Sequence, residues 1–160
     1  MVFVTLGSQK FQFNRLLEAI DVLITEEKIT EKVFIQTGYS SYVPQNCQFK
    51  KFLDRNNYTK IMQKSEIVIT HGGTGAVISA VKSGKKVIAV PRRTKYGEHV
   101  DDHQLQIVQQ FEEMGLICRC DDCMKLGQAL EYVKVTDFNS YQSNTQSIIN
   151  SIEKFIEELI

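Results

Sequence analysis

No apolar run in this sequence approaches the roughly 20 residues that would cross a bilayer as a helix. The opening segment MVFVTLGSQ has neither a basic leader nor a small-residue cleavage site, so the expectation is an unprocessed cytoplasmic protein. Charge of one sign is lacking too. Nineteen basic side chains stand against 19 acidic ones, and no global field draws the molecule to nucleic acid or an anionic membrane. Any anion binding must be local. Proline is confined to Pro44 and Pro91, and no internal repeat or low-complexity tract interrupts the 160 residues, a length suited to one domain with one core. Cysteine is sparse: Cys47, Cys118, Cys120 and Cys123, expected to stay reduced without a secretion signal. The last three form C-x-C-x-x-C, but zinc sites normally come as two spaced pairs and no fourth ligand lies nearby. They are read as small half-buried side chains, and no metal is expected.

What is present is an alternation of short Val- and Ile-rich runs with longer stretches of helical period, the sequence appearance of a parallel sheet covered by crossover helices. Six strands are expected, at Val2 to Leu6, Lys32 to Thr37, Gln48 to Leu53, Glu66 to Thr70, Lys86 to Val90 and Leu116 to Arg119. Phe13, Leu16, Leu17, Ile20, Leu23 and Ile24 recur at helical spacing, as do Ala76, Val77, Ala80 and Val81 before a terminating Gly84. A further helix carries Val100, Gln104, Ile107, Val108, Phe111 and Met114 and stops at Gly115. Thr136 to Gln146 is polar and reads as a connection. The apolar stripe Ile148, Ile149, Ile152, Phe155, Ile156 and Leu159 then makes residues 137–160 a C-terminal packing or docking segment, covering either its own sheet or a partner.

In an open parallel sheet, ligands bind beyond the carboxyl ends of the strands. The loop after the fourth strand is His71-Gly72-Gly73-Thr74-Gly75. Its glycines let backbone approach a ligand closely, and the following helix start offers unpaired N–H groups and a positive dipole end to phosphate. Neither G-x-G-x-x-G nor the Lys-Ser/Thr of a P-loop is present, which disfavours a nicotinamide enzyme or a nucleotide triphosphatase. The long loop from Pro91 to Gln104 has a basic end, Arg92, Arg93 and Lys95, suited to phosphate charge or to a solvated edge. Its other end, Asp101, Asp102, His103 and Gln104, offers groups for sugar hydroxyls, or a helix N-cap. Gly7-Ser8-Gln9 forms a third, shorter loop.

VTLGS at residues 4 to 8, IVITHGGTGAVISAVKSGKKVIAVPR from Ile67 to Arg92 and YGEHVDDHQLQIV from Tyr96 to Val108, in that order, resemble the C-terminal, donor-binding domain of glycosyltransferase family 28. The likeness is greatest to stand-alone catalytic subunits of split enzymes, both bacterial exopolysaccharide and capsule galactosyltransferase subunits and the eukaryotic dolichol-linked N-acetylglucosaminyltransferase catalytic subunit. The resemblance implies an α/β fold, a Rossmann-like parallel sheet of about six strands with helices on both faces, forming the C-terminal half of a GT-B fold. It implies inverting, metal-independent transfer of a hexose from a UDP-sugar to a polyprenyl-diphosphate-linked acceptor in polysaccharide biosynthesis, with no cofactor. His71, Gly72, Gly73, Thr74 and Gly75 would meet the diphosphate, Gly7 and Ser8 would lie close to it, Pro91 and Arg92 would complete the donor site, and Asp102, His103 and Gln104 would meet the sugar. Single-chain relatives are about twice this size, so the expected partner is a membrane-associated acceptor-binding subunit holding this chain at the inner face of the membrane. The catalytic base is either His71 or a group of the partner; the alternative to catalysis is a nucleotide-binding regulatory subunit.

Overall fold

The computed structural model describes residues 1–157. Six strands, β1 (Val2–Thr5), β2 (Val33–Gln36), β3 (Gln48–Lys50), β4 (Ile67–Thr70), β5 (Lys86–Ala89) and β6 (Cys118–Arg119), form one sheet in the order β3-β2-β1-β4-β5-β6. Every pairing is parallel. Near-continuous apolar runs are what a sheet covered on both faces requires. Alternation then sorts them: Val4, Ile35, Ile69 and Ile88 point into one core with Leu16, Leu17 and Ile20 of α1 (Asn14–Thr25) and Leu130 and Val133 of α5 (Leu126–Val135). Phe3, Val68, Val87 and Ala89 point into the other, with Met62 of α2 (Arg55–Lys64), Val77 and Ala80 of α3 (Thr74–Lys82), and Val108 of α4 (His103–Glu113).

The expected six strands and two covered faces are present, and the differences lie at boundaries and in polar helices. Each strand is shorter than its apolar run, and β6 begins at Cys118 rather than Leu116. The third expected strand ends at Lys50; as an edge strand its three residues are all exposed. The helix α2 was not anticipated. In α2 only Met62 is buried, so no apolar stripe announces it, although the Asp54 side chain caps it by accepting the Asn57 N–H at 2.9 Å. The expected start of the fourth helix at Val100 is corrected: α4 begins at His103, and Val100 is 77% exposed on the preceding loop. Gly84 and Gly115 do terminate α3 and α4, each with positive φ. Cys118, Cys120 and Cys123 are fully rather than half buried, and burial pushes their thiols up to about 11, 12 and 11.

The last helix, α6 (Thr145–Glu157), leaves Ile149, Ile152 and Ile156 at 40, 54 and 50% exposure. Leu159, and the side chains of Ile148 and Phe155, lie outside the described residues. Among the described residues, no helix is long and apolar enough to cross a membrane.

Candidate functional site

Connections leave β1 toward β2 on one side and, after β3, cross to β4 on the other. The strand order thus reverses between β1 and β4, and such a switch point opens a crevice above the carboxyl ends of the two strands. The two loops entering that crevice are Gly7-Ser8 after β1 and His71 to Gly75 after β4. Gly72 has φ +82 and packs its α-carbon so tightly on Val108 that no side chain fits there. Gly73 is the N-cap of α3 without a side-chain cap, and the first helical bond runs from the Val77 N–H to the Gly73 carbonyl at 3.0 Å. Among the described residues, the amides of Thr74, Gly75 and Ala76 have no protein acceptor, and a β-carbon added at Gly75 would meet nothing within 4 Å. The positive end of α3 therefore opens into free space.

His71 sits beneath this opening, 7% exposed, with its ring wedged between Gly7 and Gly73. A β-carbon at Gly7 would stand 2.6 Å from His71 Cε1, and one at Gly73 would collide with Nε2. Nδ1 is 3.4 Å from both the Thr5 carbonyl and Thr70 Oγ1. Burial, reinforced by the positive charge of Arg92, depresses its pKa to about 4. The imidazole is therefore neutral at pH 7, its ring held by the packing of Gly7 and Gly73 and by its contacts with Thr5 and Thr70.

The Pro91 to Gln104 loop is arranged differently from its expectation. Arg92 is not a solvated edge: it is 1% exposed, and Nη2 donates to the carbonyls of Leu6 at 2.8 Å and Phe11 at 3.3 Å. Its guanidinium lies 5.5 Å from the Phe13 ring centroid, and burial lowers its pKa to about 10, leaving it charged. Pro91 is buried too, its carbonyl accepting from Arg15 Nη2 at 3.4 Å. Gln104 turns inward at 6% exposure, where Oε1 accepts the Arg92 N–H at 3.1 Å, so in this arrangement it supports the loop. Asp102 and His103 stay on the exposed lip. Asp102 Oδ1 accepts the Thr94 N–H at 3.0 Å, which holds its carboxyl below the usual range. Although Asp102 occupies the N-cap position of α4, the cap hydrogen bond comes from Asp101, whose Oδ1 accepts the His103 N–H at 3.0 Å.

Three features escaped the sequence reading. Glu98, wholly buried, accepts from Arg15 Nε and Nη2, both at 2.9 Å, and from the Arg93 N–H at 3.0 Å, tying the long loop to α1. Gly38, with φ +58, lets the loop after β2 press on Gly7, where an added β-carbon would be 2.9 Å from the Gly7 carbonyl oxygen. The T-G-Y turn after the second strand was the available signal. Finally, Tyr39 and Phe52 form an exposed edge-to-face pair, centroids 5.1 Å apart, beyond the carboxyl ends of β2 and β3.

The family model for the glycosyltransferase family 28 C-terminal domain matches residues 1–159. This chain belongs to that family. As a family 28 C-terminal domain it is similar to the UDP-N-acetylglucosamine transferase subunit ALG13 of Candida glabrata, at 27% identity over 127 residues, covering 78% of this chain and 58% of the relative. It is also 26% identical to the human protein of that name over 139 residues, covering 80% of this chain and 12% of the relative. The family domain described here thus spans only part of the length of each. Among solved structures, the glycotransferase of kitacinnamycin superposes with a TM-score of 0.62 at 16% identity, covering 84% of this chain and 35% of that one. Acinetobacter baumannii MurG does so with a TM-score of 0.59 at 16% identity, covering 83% and 40%. At that identity the likeness is one of fold: the six-stranded α/β sheet superposes on part of each of these larger chains.

Proposed function

We propose that this chain is the donor-binding catalytic subunit of an inverting glycosyltransferase, taking a hexose from a UDP-sugar to a polyprenyl-diphosphate-linked acceptor carried by a membrane-associated partner subunit. The observation that carries the reading is the open start of α3 at the β1/β4 switch point, where unpaired amides and a helix dipole face free space above a neutral, buried histidine. Transfer leaves a nucleoside diphosphate, and preorganised N–H groups stabilise the charge that develops on its bridging oxygen as the sugar departs. We take that stabilisation to be metal-independent. In this reading the amides at the start of α3 supply the positive end.

Asp102 and His103, on the lip of the crevice, are the residues placed to meet sugar hydroxyls. Tyr39 and Phe52 supply exposed ring faces and edges at the β2 side of the same rim. The acceptor hydroxyl needs a base, which in this reading comes from the partner; the burial that depresses the His71 pKa supports that choice. A peripheral position at the inner membrane face, and a place in exopolysaccharide or capsule synthesis, follow from the same reading.

The test is coexpression with a membrane-associated acceptor-binding subunit and an assay of transfer from each common UDP-sugar. Inversion of anomeric configuration is expected. A folded complex that transfers none of these sugars would sink the proposal.

A further inference from the structure

Three side chains have buried atoms without a hydrogen-bond partner among the described residues: Arg92, through Nε and Nη1, Gln36, through Oε1, and Arg93, through an Nε that lies 3.8 Å from Asp102 Oδ1. Among the described residues Arg92 makes no ion pair; Glu98, whose charge partly offsets the cost of burying Arg92, is itself bonded to Arg15. A buried cation without an ion pair is costly and is retained where something else depends on it. What depends on it here is the loop after β1. The Arg92 Nη2 donates to Leu6 O and Phe11 O, which are the two ends of that loop, and so closes it. Within the loop, Gln36 Nε2 donates to the Gly7 carbonyl at 3.4 Å from the β2 side, with Gly38 packed against the same oxygen.

A trans peptide points its C=O and the following N–H in opposite directions. With the Gly7 carbonyl held toward β2, the Ser8 N–H is turned toward β4, whose loop is His71 to Gly75. That amide has no acceptor among the described residues. Resting on the donor-diphosphate reading above, we propose that Arg92 and Gln36 are positioning residues: they hold the Leu6 to Phe11 loop so that the Ser8 amide joins the amides of α3 as a second wall of the diphosphate site. Neither side chain touches the donor.

The experiment uses the whole chain with UDP as the probe, calorimetry for affinity and amide nitrogen–proton NMR for contact. In the wild type the Ser8 resonance and those of Thr74 and Gly75 shift on titration. In Arg92→Met the shifts at Thr74 and Gly75 persist, the Ser8 shift is lost, and UDP affinity falls about tenfold, with part of it recovered in Arg92→Lys. A purely structural role would not single out Ser8. Gln36→Leu, which adds no charge change, gives the same loss at Ser8 should Arg92→Met not fold. A folded Arg92→Met or Gln36→Leu protein with wild-type affinity and an intact Ser8 shift overturns the assignment. A wild type in which Thr74 and Gly75 respond but Ser8 does not overturns it as well, leaving the donor reading in place. Silence at all three positions removes both.

Discussion

A methyl group added at Gly73 would strike the His71 ring, whereas one added two residues later at Gly75 would meet nothing within 4 Å. These neighbours therefore separate steric from helical effects. Gly73→Ala should cost about 1–3 kcal/mol in urea unfolding, because the imidazole cannot yield without disturbing Gly7, and should abolish detectable UDP binding. Gly75→Ala should stabilise by about 0.5–1 kcal/mol, since alanine loses less entropy in a helix; a destabilised variant would contradict the open geometry. Gly73→Val, with a larger branched side chain at the same point, is expected to harm both fold and UDP binding. His71 carries a pH prediction. Its pKa of about 4 in the folded chain lies below the ordinary 6.5, so the unfolded chain binds the proton first. Its contribution is present above pH 6.5 and is lost as pH falls toward 4, on the order of 3 kcal/mol in total. Urea unfolding between pH 7.5 and 4.5 should show a shallower decline for His71→Gln than for the wild type; parallel declines would contradict the buried neutral histidine.

Elements show where chemistry hid from pattern. The helices α1 and α3 declare themselves by apolar periodicity because each lays one face on the sheet. The helix α2, with only Met62 buried, is held by the Asp54 cap and a few contacts, and neither gives a stripe. The Pro91 to Gln104 loop stood out by length, yet its polarity misled: Arg92, which read as outward and charged, is one of its internal ties. Glu98→Ala should leave Arg15 and the Arg93 N–H without their shared acceptor and cost about 3 kcal/mol, with the loop's amides losing protection in hydrogen exchange before the sheet's. The α6 stripe makes the opposite prediction. Ile152→Glu, at a site 54% exposed, should shift the melting temperature of the isolated chain by no more than about 2 °C; a large drop would mean that α6 is integral to this fold.

For the molecule as a whole, the proposed metal-independent mechanism predicts that EDTA leaves the transfer rate of the reconstituted complex unchanged, and a loss restored by a divalent cation would contradict it. One sheet carries every group discussed, but its strand order places them. Sequence alone determined the number of strands, their parallel pairing, the two covered faces and the glycine loop before α3, because these follow from local steric and hydrophobic rules acting over a few residues. It did not determine that β1 and β4 are neighbours, and so could not say that Gly7 would rest on His71 and Gly73. Nor could it say which way a charged side chain turns. Arg92 and Gln104 lie next to Pro91 and Asp102 in or beside the same loop, and only contacts with Leu6, Phe11 and each other carry them inward. Those contacts join residues 12 to 86 positions apart, and hydrogen bonds of that reach exist only once the chain has closed its sheet.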